Sequence, residues 1–464
     1  MKKLSNILIL TLLFSVATSA QKTKIAVLKK LDSQSEKYGS IAMQIWDLAE
    51  MGYLEDQSSS LLQETLSNEG FIIKKGVANI PTAFIAEYGS GLPIVAILGE
   101  FDALPGLSQQ AIPEKKSANG DAGHACGHHL FGTASVAAAI SVKQWMQSTK
   151  QKGTIRFYGC PAEEGGGAKV YMAREGLFDD VDIALHWHPS SQNAASAAAA
   201  LANISAKFRF YGISAHAAGA PEKGRSSLDG VEAMNAMVNM MREHVPQEAR
   251  IHYVITDGGK APNVVPDFAE VYYYSRHNSR DVVRSIFNRI VKAGEGAALG
   301  TGTTMDYEII NGVHELLPNL SLQKLVHDNL SAIGGVTYSA EEKEFAEKIA
   351  LSLGQTKADL DRAVNIQPYK ETAQAYGSTD VGDVSFVVPT VGFGTATWVP
   401  GTSAHSWQAV AAGGTSIGEK GMMVAAKTIT ATVIDLFKNQ ELIVKAKVEF
   451  KNRRGVTFIY KPLL

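Results

Sequence analysis

The chain has 464 residues, 45% hydrophobic and 19% charged, the balance of a globular protein large enough for two or three domains. With 44 basic against 46 acidic residues the net charge is −2, so no basic field exists to draw nucleic acid. Two cysteines are too few for a disulfide framework.

The chain opens MKKLSNILILTLLFSVATSAQ. Lys2 and Lys3 precede an apolar run over residues 7–16, and small residues stand before Gln21, the pattern of a secretory signal peptide cut after Ala20. The run is about half of the ~20 residues a membrane span needs. Residues 1–20 are expected to be a leader, and the mature protein to be exported, periplasmic or secreted, with no membrane span.

TAFIAEYG and LPIVAILGEFDAL are apolar runs bounded by Gly and Pro and predict buried strands. FGTASVAAAISVKQWM predicts a helix beginning near His129. TIRFYGCPAEE predicts a strand ending in carboxylates, and VDIALHWHP one ending in histidines. Strands alternating with helices predict an α/β domain with a mostly parallel sheet, whose functional site lies where strands end. After residue 204 the rhythm changes. AKFRFYG alternates with period two, and a helical stripe carries Leu228, Val231, Met234, Val238 and Met241. Strands follow at IHYVIT, FAEVYYYS and TTMDYEII, with a helix through VVRSIFNRIVKAG. This β-α-β-β-α-β order is ferredoxin-like. It predicts an inserted domain over residues 205–316, the α/β domain being built from 21–204 plus 317–464.

The chemistry concentrates at strand ends. GHACGHHLFG places Cys126 and His128 two apart, so both can face one point only across irregular backbone before the helix. Thiolate and imidazole suit zinc and its neighbours. A Cys126–Cys160 disulfide is the alternative use of that thiol. PAEEGGG supplies Glu163 and Glu164 at a predicted strand end, where neighbours point to opposite sides. One carboxylate can then bind metal while the other serves a water as general base. LHWHP offers His186 and His188 on one face of a strand, and PGTSAHSWQ puts His405 in a loop. Five donors, namely Cys126, His128, Glu164, one of the two strand histidines and His405, exceed what one zinc needs and match two divalent ions sharing a bridge. No nucleotide-binding loop is present, since G-K-[ST] and G-x-G-x-x-G are both absent.

GEFDALPG, GHACGHH, CPAEEGGGAK, ISAHAAGAPEKGRSSLDG and GGKAPNVVPD follow one another in the order seen in the aminoacylase/carboxypeptidase superfamily of dinuclear amidohydrolases, which the chain resembles over nearly its whole mature length. GSTDVGDVSFVVPT is particularly similar to the aminobenzoyl-glutamate hydrolase branch of that superfamily. The resemblance implies that Cys126 bridges two metal ions, Zn²⁺ or Mn²⁺, and that His128, Glu164, His405 and a strand histidine complete their coordination. A generic H-x-x-P pattern selects His186 and the branch's W-H-P selects His188; we take His188. It further implies Glu163 as general base, Asp102 as support for a ligand, and the central domain as lid and dimerisation domain. His216 matches a histidine that stabilises the oxyanion, commonly across a dimer. Asn263 and Arg276 match substrate-contacting positions. His129 stands where many relatives have aspartate and is expected to support a ligand, with His124 structural.

The activity implied is hydrolysis of the amide joining an acyl or aroyl group to an amino acid, by a homodimer or with a related subunit. Two rivals stay open on the residues alone. One is a thiol hydrolase using Cys126 as nucleophile; the other is a non-catalytic periplasmic binding protein on the same fold.

Overall fold

The computed structural model describes residues 22–374 and 377–464; the expected leader lies outside them. Twelve strands position the site. In chain order they are β1 (Ile72–Lys75), β2 (Phe84–Ser90), β3 (Ile94–Gly99), β4 (Gly153–Gly159), β5 (Ile183–Leu185), β6 (His188–Ser190), β7 (Ala202–Tyr211), β8 (Arg250–Asp257), β9 (Phe268–His277), β10 (Thr304–Val313), β11 (Thr390–Val391) and β12 (Gly394–Ala396).

The first sheet runs β1-β2-β4-β3-β5-β11. Its β4, β3, β5 and β11 are mutually parallel, while β1 and β2 extend it antiparallel at one edge. Strand alternation divides the core. Ile97, Phe157 and Leu185 face one side, packed on helix α1 (His128–Thr149), with the long helix α7 (Ser416–Lys438) outside it. Leu98, Tyr158 and Ala184 face the other, against α2 (Ala168–Arg174) and α5 (Val381–Ser385). Helix α1 is apolar all round because it is buried between sheet and α7. Gly132 lets it approach the end of β3, since a Cβ there would lie 2.7 Å from the Glu100 carbonyl oxygen.

Residues 202–313 form the second sheet, β10-β7-β9-β8, antiparallel throughout. Helices α3 (Ser227–Met241) and α4 (Arg280–Thr301) cover one face. Phe208, Phe210, Val231, Met234 and Val238 are buried between them, the ferredoxin-like unit that the period-two strand and helical stripe predict.

Two local expectations are corrected. Helix α1 begins at His128 rather than His129, because Gly127 (φ 78°) makes the turn into it. Glu163 and Glu164 are not at the end of an extended strand. β4 stops at Gly159, Ala162 takes φ 52°, and the N–H groups of Gly166 and Gly167 both donate to the Ala162 carbonyl. The glycine run thus folds the two carboxylates onto a tight turn.

Candidate metal centre

The loop before α1 carries the thiol. Gly127 reverses the backbone between Cys126 and His128, and the Ala125 carbonyl accepts from the His405 N–H (3.0 Å), tying two distant loops together. His128 is fully buried; its Nδ1 donates to Asp102 Oδ1 (2.8 Å), which leaves Nε2 as the free face. His188 repeats the arrangement, with Nδ1 donating to the Pro189 carbonyl (2.7 Å) and Nε2 lying 3.5 Å from Cys126 Sγ. The His186 N–H donates to Val391 O and the His188 N–H to Phe393 O, and the two histidines lie in the break between β5, which ends at Leu185, and β6, which begins at His188. His186 abuts Gly392 and belongs to none of the donor groups, whereas His188 groups with Cys126 and His128.

Glu164 and His405 meet with Oε1 and Nε2 3.0 Å apart, and the Glu164 N–H donates to Asp102 Oδ2 (2.8 Å). Asp102, itself buried, therefore fixes one candidate ligand from each side of the cluster. Donor atoms gather within 4.8 Å of one another in three groups: Cys126/His128/His188, Cys126/Glu164/His405, and Glu100/His128/Glu163. Donors held about 2.0–2.3 Å from one ion stand roughly 3.0–3.6 Å apart. The pairs Cys126–His188 and Glu164–His405 have that spacing. Glu100 Oε2, His128 Nε2 and Glu164 Oε1 are buried without a hydrogen-bond partner among the described residues. Orphaned buried polar atoms among such donors are what a cation-binding site presents. The residues fit two divalent ions.

The electrostatics agree. Burial holds the Glu163 carboxyl well above the usual range, reinforced by the charges of Glu100, Glu164 and Asp380. Burial likewise pushes the Cys126 thiol up. A nucleophilic cysteine needs the opposite shift, so the thiol-hydrolase alternative finds no support here. Bound cations would reverse both directions. Neither cysteine is in a disulfide; Cys160 is buried with Sγ donating to the Tyr158 carbonyl.

Four participants escaped the sequence reading. Glu100 sits two residues before Asp102, just beyond the end of β3 at Gly99, and both carboxylates reach the His128 ring. Lys169 and Asp380 form a buried pair beside Glu100. Glu55 accepts from the Ala162 N–H (2.7 Å), pinning the left-handed residue ahead of Glu163; burial pushes its carboxyl up to about 7.

His129 does not support a ligand directly. Its Nε2 donates to the Gly413 carbonyl (3.0 Å), holding α6 (Trp407–Gly413) that follows the His405 loop, and its ring lies 4.9 Å from that of His124. His124 in turn donates to the Ile45 carbonyl. Burial lowers both histidines, His124 to about 4. An unfolded chain binds protons at these positions below ~6.5 while the folded one does not, so stability present above pH 6.5 is lost as pH falls toward 4. His124 alone should cost about 2 kcal/mol by pH 5. Melting curves at pH 7.5 and 5 should show a drop of several degrees that shrinks in His124→Asn; an equal drop in the variant contradicts this assignment.

His216 is exposed, its Nδ1 accepting from the N–H groups of Ala218 and Gly219, and it bridges to Val264. The Ala217 N–H donates to the Asn263 carbonyl, so His216 and Asn263 share one loop pair. Arg276 lies on β9 with its guanidinium over the Tyr274 ring. None of the three joins the donor groups within this chain.

Known proteins resemble the chain in sequence and in fold. The chain is 42% identical over 448 residues to a subunit of the p-aminobenzoyl-glutamate hydrolase of Escherichia coli (strain K12), covering 90% of this chain and 93% of that protein. It is 28% identical to the Xaa-Arg dipeptidase of Mus musculus, over 94% of each. Among solved structures, a dinuclear metal binding peptidase of Bacillus subtilis superposes with a TM-score of 0.58 at 16% identity, covering 88% of this chain and 99% of that one, a likeness of fold. The model of peptidase family M20/M25/M40 matches residues 96–408, and the chain belongs to that family.

Proposed function

We propose that the protein is a two-metal amidohydrolase cleaving the amide between an acyl or aroyl group and an amino acid, aminobenzoyl-glutamate being the first compound to test. The observation carrying this reading is the pair of donor triads that share Cys126, with Glu163 beside them and its side chain free of hydrogen bonds among the described residues. Cys126, His128, Glu164, His188 and His405 would hold two ions, Zn²⁺ or Mn²⁺; the thiolate favours zinc and the mixed donor set admits manganese. Such ions supply Lewis acidity that polarises the scissile carbonyl and brings the pKa of water toward neutrality. Glu163 takes the proton of the attacking water and returns it to the leaving nitrogen. Asp102 keeps His128 and Glu164 turned inward. His216 meets the oxyanion from the lid, and Asn263 and Arg276 hold the substrate's carbonyl and carboxylate. The intact general base argues against a pure binding protein.

Because His216 joins none of the donor groups among the described residues, we take it to act on the other copy of a homodimer. Strand β8 is an edge of the lid sheet and exposes Tyr253, Val254 and Ile255, an apolar edge suited to pairing. The Escherichia coli relative is one subunit of its hydrolase, which makes a sister subunit a second candidate partner. The N-terminal pattern supports export, and no helix among the described residues is long and apolar enough to cross a membrane.

The test is metal analysis of purified protein with assays on aminobenzoyl-glutamate and a panel of N-acyl amino acids. About two ions per chain are expected. A strong chelator should abolish hydrolysis, and Zn²⁺ or Mn²⁺ should restore it. Undiminished turnover in chelated, metal-free protein would overturn the reading.

A further inference from the structure

Glu100 has no part in the scheme above, yet its surroundings are unusual. Its side chain is 2% exposed. One oxygen, Oε1, accepts from Lys169 Nζ at 2.6 Å. That ammonium, fully buried, is shared with Asp380 Oδ1 at 2.7 Å, and Asp380 Oδ2 accepts the Lys169 backbone N–H at 3.0 Å. Lys169 is thus clamped at side chain and backbone by one carboxylate and presented to a second. Two carboxylates against one ammonium leave a buried negative charge uncompensated, which is costly unless another cation completes the group.

The leftover charge has a direction. Glu100 Oε2 lies 3.2 Å from His128 Nε2, but the two do not hydrogen-bond, and each lacks any hydrogen-bond partner among the described residues. Asp102 accepts the Nδ1 hydrogen bond, so Nε2 is the nitrogen left to face a cation. Two electron-rich atoms at that separation share one edge of a coordination sphere, the spacing already noted for Cys126–His188 and Glu164–His405. Glu163 completes the third donor group at the same point.

We propose that Glu100 is a further metal ligand, binding through Oε2 the ion held by His128, and that Lys169, anchored on Asp380, is the positioning residue that turns this oxygen inward. The inference rests on the cluster being a metal centre.

The test is Glu100→Gln, which keeps the shape and removes the charge. Apoprotein is titrated with Zn²⁺ against a chromophoric chelator, and the cobalt-substituted protein is followed by its visible spectrum. One of the two ions should weaken at least 10- to 100-fold, the other should hold, and the cobalt bands should shift. Lys169→Met should weaken the same ion by about 10-fold, and the double variant should be no weaker than Glu100→Gln alone. Wild-type affinity with an unchanged cobalt spectrum in Glu100→Gln would overturn the proposal. Circular dichroism controls for folding. If Glu100→Gln does not fold, Glu100→Asp retracts the oxygen while keeping its charge, and an unchanged cobalt spectrum there is the overturning result. Wild-type protein that binds no ion defeats the metal-centre reading instead.

Discussion

Glu163→Gln should retain its bound metal and lose about 10²- to 10⁴-fold in turnover, the range for removing a general base. The substitution is nearly isosteric. Glu163 makes no side-chain hydrogen bond among the described residues, so little structure depends on its carboxylate. It stands instead among Glu100, Glu164 and Asp380, whose charges repel its own. Neutralising it should leave the metal-free protein melting no lower than wild type. A rate loss without a stability loss separates a chemical role from a structural one. Steady-state kinetics, metal analysis and a melting curve on one preparation decide it; near-normal turnover with metal bound removes Glu163 from the mechanism. The same variant reports on the dimer. Mixed and re-equilibrated with His216→Ala, it should recover about a quarter of wild-type activity if His216 serves the partner's site, since half the dimers are then mixed and each has one complete site. No recovery places His216 and Glu163 in one site of one chain.

Asp102→Ala should be the most damaging change among residues outside the donor set. One carboxylate accepts from the His128 ring on one oxygen and from the Glu164 backbone on the other. Its removal frees two candidate ligands, one from each triad sharing Cys126. Losing a single such support typically costs 10- to 100-fold in metal affinity, and here both triads should weaken. The orphaned Glu164 N–H adds about 1–3 kcal/mol of instability. Chelator titration and chemical unfolding measure the two effects; a variant that binds both ions as wild type would show the aspartate to be incidental.

The lid was legible because each part of it obeys a local rule. Phe208 and Phe210 alternate along a strand, and Val231, Met234 and Val238 repeat along a helix, so burial could be read from neighbours. The donor residues were legible for another reason: Cys, His and Glu at strand ends have few structural uses. What stayed hidden is relational. Lys169 and Asp380 are 211 positions apart and become partners only when α2 and α5 pack on one face of the sheet. His129 looks like a site residue by adjacency, but the first turn of α1 aims it at Gly413 instead. The turn holding Glu163 and Glu164 depends on Glu55 reaching the Ala162 N–H from 107 residues upstream, which no local pattern encodes.

Cys126 belongs to both the His128/His188 and the Glu164/His405 triads. A shared donor links the two binding equilibria. Whichever ion arrives first meets the cost of ionising a buried thiol, and the second finds the thiolate already formed. The first ion should therefore release the thiol proton and the second none, a difference that proton release during metal titration measures. The same economy is a weakness: oxidation of one sulfur to a sulfenic acid would empty both positions together, so metal content and thiol titre should fall in step as the protein ages in air.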